Sequence, residues 1–273
     1  MKSLILQLLL FSELVFSQST HRFFYELKFK NDSTSTDYVK DFYVLDISKD
    51  DQKFYNYEFL KNDSISKSKI NQDYIFSETE LDIRLVHKKN NEFYNYYSQT
   101  PLYYLLKTND KQNWNITTEK KIIGKYNVQK ATTKFGGRNW EAWFSSEIPL
   151  FYGPYKFYGL PGLILELADT KQNYIFTFKG NKNIKYKTDT STYIEALNTL
   201  KPLEVSQKQY DKLQMDYFLS PLKDFGEGGL IIENEKGEMV QANSKDVTEQ
   251  QQSYLRKFNN PIEVDKAIHY PEK

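Results

Sequence analysis

The chain of 273 residues contains no cysteine. That absence removes disulfides, thiolate nucleophiles, cysteine zinc sites and a lipid-modified N-terminal Cys, so the protein is not expected to be a lipoprotein. Histidine is nearly as scarce, with three. His21, His87 and His269 have no second His or carboxylate at a metal spacing such as H-E-x-x-H, and no metal site is expected. His87 reads as a surface residue whose neighbours Lys88 and Lys89 disfavour an imidazolium. After the first 17 residues no apolar run is long enough to span a bilayer. The net charge of +1 makes no electrostatic case for nucleic acid or an anionic membrane as a partner.

Catalytic signatures are missing too. There is no G-x-S-x-G elbow. Gly136-Gly137 and Gly226-Glu-Gly-Gly229 lack the strand–loop–helix setting and the Lys-Ser/Thr ending of a phosphate loop, and turns explain them. Asp224-Phe-Gly226 repeats a kinase tripeptide with none of its companions. Asp169 and Asn173 read as hairpin-turn residues rather than calcium ligands. No cofactor is implied.

What the chain has is aromatic rings: 22 Tyr and 19 Phe within a 16% aromatic fraction. Tyrosine packs its ring on a sheet face while keeping its hydroxyl polar, so this composition predicts broad β-sheet. The N-terminus shows a basic start, an apolar run from Leu4 to Phe16 and Val15-Phe16-Ser17 ahead of Gln18. That is a secretory leader, residues 1–17, despite the charge of Glu13 inside it. Residues 18–273 are then expected as one exported domain, periplasmic or secreted.

Alternation carries most of the remaining reading. Arg22 to Lys30 places Phe23, Tyr25, Leu27 and Phe29 on one face, which predicts an amphipathic strand. Tyr38 to Ser48 predicts a second strand with both faces at least partly covered. Residues 49–80 are mixed and support no single element. Leu81–Lys88 and Asn91–Tyr97 predict a hairpin, and Tyr103–Thr108 a further strand. Between about 114 and 180 the pattern predicts an antiparallel meander. Gly124 is a bulge or bend, Gly136-Gly137-Arg138 a tight turn, and Asn139–Ser145, Leu163–Leu167 and Tyr174–Phe178 are strands. Helices follow at about 190–260: one capped by Thr192 and Glu195, one by Ser206 and Gln209, and one begun near Ser244. The expected fold class is α+β, mainly β, with a half-barrel-like antiparallel sheet and peripheral C-terminal helices.

Phe151 to Asp169, FYGPYKFYGLPGLILELAD, combines five Gly or Pro residues with dense apolar side chains. Pro161-Gly162 reads as the centre of a type II turn feeding the strand Leu163–Leu167. The hexapeptide Gly159-Leu-Pro-Gly-Leu-Ile164 resembles the GLPGLI family of exported Bacteroidota proteins. Gly124-Lys-Tyr, the Ala-Thr strand, the Gly-Arg turn, Ala-Trp-Phe, Ile-Pro and Gly-Pro-Tyr-Lys-Phe fit that pattern as well. The resemblance covers about Trp114 to Phe178. It implies export and relatedness; the family has no established activity to transfer. The strand order also looks like the half-barrels of periplasmic lipoprotein carriers, a fold analogy that carries no function.

Candidate binding residues are Arg138, Trp140, Trp143, Tyr152, Tyr155, Lys156, Tyr158 and Glu166. A sheet with two apolar faces needs covers, helices on one side and a ligand on the other, with Phe151–Tyr158 as the rim of a groove. The expected occupant is an apolar or aromatic small ligand or an envelope protein. The alternative is a hydrolase using the carboxylates of Glu141 and Glu166, with Arg138 and Lys156 reaching the same face.

Overall fold

The structure, a computed structural model, describes residues 19–68, 79–99, 102–223, 230–233 and 237–272. The expected leader, the Gly226–Gly229 run and residues 234–236 lie outside the described residues. Six strands come first: β1 (Thr20–Phe29), β2 (Val39–Ile47), β3 (Asp51–Asn56), β4 (Arg84–Lys88), β5 (Phe93–Gln99) and β6 (Leu102–Thr108), with helix α1 (Tyr57–Ser68) between β3 and β4. The second run is β7 (Asn115–Ile123), β8 (Tyr126–Phe135), β9 (Arg138–Ser145), β10 (Leu163–Asp169) and β11 (Tyr174–Ile184). Then come β12 (Leu203–Val205), α2 (Gln207–Leu219), the hairpin β13 (Ile231–Glu233) and β14 (Met239–Gln241), and α3 (Ser244–Lys257).

Twelve strands form one sheet in the order β12-β6-β5-β4-β3-β2-β1-β11-β10-β9-β8-β7. Two antiparallel meanders, β1–β6 and β7–β11, are joined where β1 pairs with β11. The ends β12 and β7 do not meet, so the sheet is an open one. The fold is α+β and mainly β, as the alternation predicts. The exception to an antiparallel sheet is β12, which lies parallel to β6.

The main core lies on one face, here the inner face. Phe23, Tyr25, Leu27 and Phe29 of β1 are buried there with Tyr43, Phe54, Trp140, Phe144 and Phe176. A second cluster sits on the outer face of β2–β6, where Val44, Tyr55, Val86 and Tyr103 are covered by Phe59 of α1 and by Tyr193 and Ile194. Both faces of β2 are therefore occupied, as its sequence suggests. The outer face of β8–β10 carries Glu141, Trp143 and Glu166, all half-buried.

The stretch 146–162 crosses the inner face as a plug. Tyr152 bridges to Tyr158, and the tip between them places Phe157 against Trp140 with ring centroids 4.7 Å apart. Pro161-Gly162 is not a type II turn. The Gly162 amide donates to the Leu160 carbonyl at 2.8 Å, a three-residue turn with Pro161 at its centre. Glycine is required for room: a Cβ at Gly162 would lie 2.1 Å from the Ser145 carbonyl oxygen. Gly124 is likewise neither bulge nor bend but the β7–β8 hairpin turn, at φ +60°.

The helical region departs from expectation at its start. No helix forms at Ile194–Leu200; turns lead into a Leu197–Leu200 bridge. Glu195 does not complete a cap with Thr192, because its carboxylate accepts from Lys53 Nζ at 2.6 Å and from the Thr190 hydroxyl at 2.7 Å. The Ser206–Gln209 capping box is present on α2. The α3 cap is Asn243, one residue before Ser244.

Candidate functional site

A cavity of about 260 Å³ opens where the inner-face ends of β4–β6 meet the plug, α2 and the C-terminal segment 259–270. The plug contributes Tyr155 and Lys156 to its wall. Tyr155 holds a left-handed backbone, φ +56°, which a bulky side chain rarely adopts. Its phenol donates to Glu263 Oε1 at 2.6 Å, and burial followed by the Glu263 charge pushes its pKa well up. Lys156 is 2% exposed, with Nζ 2.6 Å from Glu263 Oε1 and 2.8 Å from Asp110 Oδ2. Lys266, at the mouth, pairs with Glu263 and lies 3.6 Å from Asp110. Burial alone would raise both carboxyls. Lys156, with Lys266 behind it, outweighs that and leaves Asp110 and Glu263 below their usual values.

Across the cavity, the rings of Tyr97 (β5) and Tyr210 (α2) lie 4.5 Å apart, and burial raises both phenols. Asn95 joins the wall, its amide nitrogen donating to the Leu106 carbonyl at 2.9 Å and to Thr108 Oγ1 at 3.2 Å. Arg84 and Asp82 close the far end as an ion pair at 3.0 Å. The Arg84 guanidinium also stacks 4.2 Å over Phe59.

The residues selected from sequence fall into four places. Tyr155 and Lys156 line the cavity. Lys156, expected at the rim of an open groove, is instead buried, because two carboxylates meet it inside. Arg138 and Trp140 face the core. Trp140 is fully buried and its Nε1 donates to the Phe135 carbonyl at 2.9 Å. Arg138 donates to the Ile262 and Pro261 carbonyls at 2.9 and 2.7 Å, to Asn260 Oδ1 at 2.6 Å, and pairs with Asp169 at 3.3 Å. Arg138 and Lys156 thus both fasten the segment 260–263 onto the sheet.

Trp143 and Glu166 lie on the outer face, adjacent across the β9–β10 register, with Glu141 nearby. The three share a face, as the alternation predicts, but Arg138 and Lys156 are not the cations that reach it. Lys121 pairs with Glu166 and lies 4.3 Å over the Trp143 ring, while Lys130 is 3.2 Å from Glu141. Neither carboxylate lines the cavity.

Tyr152 and Tyr158 flank His87, which is buried, not on the surface. Its ring stacks on Phe93 at 4.1 Å with Tyr158 at 4.7 Å. Burial lowers its pKa to about 4, and Nε2 has no partner among the described residues. Of the lysines that suggested a surface site, Lys88 alternates away from the histidine and Lys89 lies in the turn after β4. Asp169 is taken up by Arg138, Asn173 and the Tyr174 amide. Among the described residues no group of three or more His, Asp or Glu is placed to hold a metal ion. Asn95, Tyr97, Asp110, Tyr210 and Glu263 were missed from sequence. They come from four separate stretches of the chain, and no local spacing marks them.

Fold and site together define a mainly-β open-sheet protein with a plugged inner face and a small tyrosine-lined side cavity. Residues 136–166 match a family model described as a protein of unknown function (Porph_ging). That stretch contains the hexapeptide Gly159–Ile164 and the whole of the plug. No curated protein sequence matches the chain. Two solved structures of PNGF-II, in space groups C2 and P21, resemble the fold with a TM-score of 0.51 each, at 18% and 20% identity. They cover 71% and 72% of this chain but 32% and 33% of their own, so the chain spans about a third of the PNGF-II length. At such identity the likeness shows the fold alone.

Proposed function

We propose that this chain is an exported, GLPGLI-type binding protein whose small-molecule ligand occupies the cavity walled by Tyr155 and Lys156. The observation that carries the reading is Tyr155 itself. A non-glycine residue held at φ +56° costs on the order of 1–3 kcal/mol, and such strain persists where surrounding contacts impose it, often at ligand sites. Here the plug places the strained residue on a cavity wall, over a buried Lys–carboxylate cluster that fixes its hydroxyl.

In this reading Arg138, Trp140, Tyr152 and Tyr158 hold the plug and the C-terminal segment in place. Trp143 and Glu166 belong to the outer face, where an envelope protein rather than a small ligand would meet them. Removal of residues 1–17 leaves 18–273 as one unit, consistent with strands from Thr20 to Val205 sharing a sheet. The leader pattern, the lack of cysteine and the lack, among the described residues, of a helix long and apolar enough to cross a membrane support a periplasmic or secreted location.

Native mass spectrometry of the protein purified from its own periplasm tests the reading. The wild type is expected to retain a small molecule that a folded Tyr210→Ala variant loses. A wild type that carries nothing, and takes up nothing when dialysed against periplasmic extract, would refute it.

A further inference from the structure

The walls of the cavity also restrict what it takes, provided it is the binding site just proposed. Its charges are already matched. Arg84 faces Asp82, while Lys156 and Lys266 share Glu263 and Asp110. An ionic ligand would have to enter without a free counter-charge, or break a buried pair, and either is costly.

Hydrogen-bonding capacity is lopsided in the other direction. The amide nitrogens on the wall are engaged within the protein: Asn95 with Leu106 and Thr108, Gln207 with Asp211 at 2.7 Å, Gln214 with Gln99 at 3.0 Å, and Asn259 with the Ile268 carbonyl at 2.7 Å. The three Lys156 contacts, to Asp110, Glu263 and Thr108, use its ammonium in the same way. None of the four amide oxygens accepts a hydrogen bond among the described residues. Among the nitrogens the remaining donor is Arg84 Nη1, which is buried and has no hydrogen-bond partner among the described residues, while the phenols of Tyr97, Tyr210 and Tyr270 can donate or accept. The cavity therefore offers several amide acceptors, one free nitrogen donor, phenols that act either way, no net charge and the rings of Tyr97 and Tyr210.

We infer that the ligand is a small, neutral, hydroxyl-rich molecule, a polyol or single sugar ring. Its O–H groups would donate to the amide oxygens of Asn95, Gln207, Gln214 and Asn259, one of its oxygens would accept from Arg84, and its C–H face would pack on tyrosine. Size agrees: about 260 Å³ lies below the ~300–1,000 Å³ of sites for drug-sized ligands.

The test is a titration calorimetry panel on the full chain with glucose, galactose, mannose, myo-inositol, succinate, inorganic phosphate and benzyl alcohol. Gln207→Leu and Tyr210→Ala are run alongside, with circular dichroism confirming that each folds. Gln207→Leu removes an acceptor near the surface and disturbs the sheet least. One of the four polyols is expected to bind saturably, and each variant to weaken it about tenfold, the value of one hydrogen bond or ring contact. Tighter binding of succinate, phosphate or benzyl alcohol, lost in the same variants, would overturn the polyol class while leaving the cavity as the binding site. Polyol binding that neither variant changes would overturn the assignment to this cavity. No binding of any polyol overturns the class, and the native mass measurement then decides separately whether the cavity binds anything.

Discussion

Replacing Lys156 by methionine keeps the length of the side chain and deletes its charge. Lys156 Nζ lies 2.6 Å from Glu263 and 2.8 Å from Asp110, and the residue is 2% exposed. Breaking a buried pair by removing one partner costs about 3–5 kcal/mol, because the remaining charge stays desolvated. Lys266 still touches both carboxylates, so the lower end, about 3 kcal/mol, is expected at neutral pH. Urea unfolding of wild type and Lys156→Met measures it. The dependence on pH separates an electrostatic cause from lost packing. In the wild type, Asp110 and Glu263 ionise below their unfolded values of 3.8 and 4.5. Their contribution is therefore complete above about pH 4.5 and is lost as the pH falls through the lower folded values. In the variant, burial unopposed by Lys156 pushes the same carboxyls up. The folded variant then binds protons that the unfolded chain does not, and recovers stability on acidification from pH 7 to about 5. The cost of the mutation should shrink over that interval. A cost below about 1 kcal/mol, or one that is constant between pH 5 and 7, would refute the electrostatic account.

Three further outcomes are expected. Gly162→Ala meets the Ser145 carbonyl at 2.1 Å, whereas Gly159→Ala at φ +91° meets nothing within 4 Å; the first should cost at least about 2 kcal/mol more than the second in thermal or urea unfolding. His87, lowered from 6.5 to about 4 by burial, stays neutral in the fold while the unfolded chain takes up its proton, so stability falls as pH drops from 6.5 towards 4. Relative to His87→Leu, the wild type should lose up to about 3 kcal/mol across that window, and an NMR titration of His87 near 6.5 would contradict it. Trp143→Ala removes a half-exposed ring under Lys121 and should cost less than about 1 kcal/mol, leaving small-molecule retention by native mass spectrometry unchanged.

The sheet was legible because its strands repeat every second residue. Phe23-Tyr25-Leu27-Phe29 and Trp140-Ala142-Phe144 need nothing beyond alternation to be placed. β3 was not legible, since Asp51, Gln52 and Lys53 are buried charged or polar residues in a strand. What makes them tolerable lies elsewhere: Lys53 is met by Glu195 and Thr190, more than 130 positions away. The same physics hid the cavity. Tyr155 and Lys156 stood out through their glycine- and proline-rich surroundings, but their partners Asp110 and Glu263 sit in unremarkable sequence. Buried charge is paired by whatever the topology brings near, and topology is not a local signal.

The tyrosine content can be explained one step further. Read as a composition, it suggested half-wet sheet faces, yet Tyr25, Tyr43, Tyr103 and Tyr174 are almost wholly buried. Each donates its hydroxyl to a backbone carbonyl: Tyr43 to Leu81, Tyr103 to Ile194 and Tyr174 to Asn260 in irregular segments, and Tyr25 to Ile164 at the irregular start of β10, where the β9–β10 register shifts. An irregular segment laid over a hydrophobic face has carbonyls that no ladder satisfies, and a phenol supplies a donor from within the core at the expense of one polar atom. A sheet covered by loops rather than by regular helices therefore needs donors standing up from its strands. Phenylalanine at these positions would keep the packing and orphan four carbonyls, at about 1–3 kcal/mol each where the carbonyl has no second partner. The plug 146–162 is one such loop: Tyr25 bonds Ile164 just past its end, in β10, and Lys156 anchors its tip to Glu263 and Asp110. The cavity lies beside the point where that plug and the segment 259–270 are pinned together, Tyr155 and Lys156 both meeting Glu263.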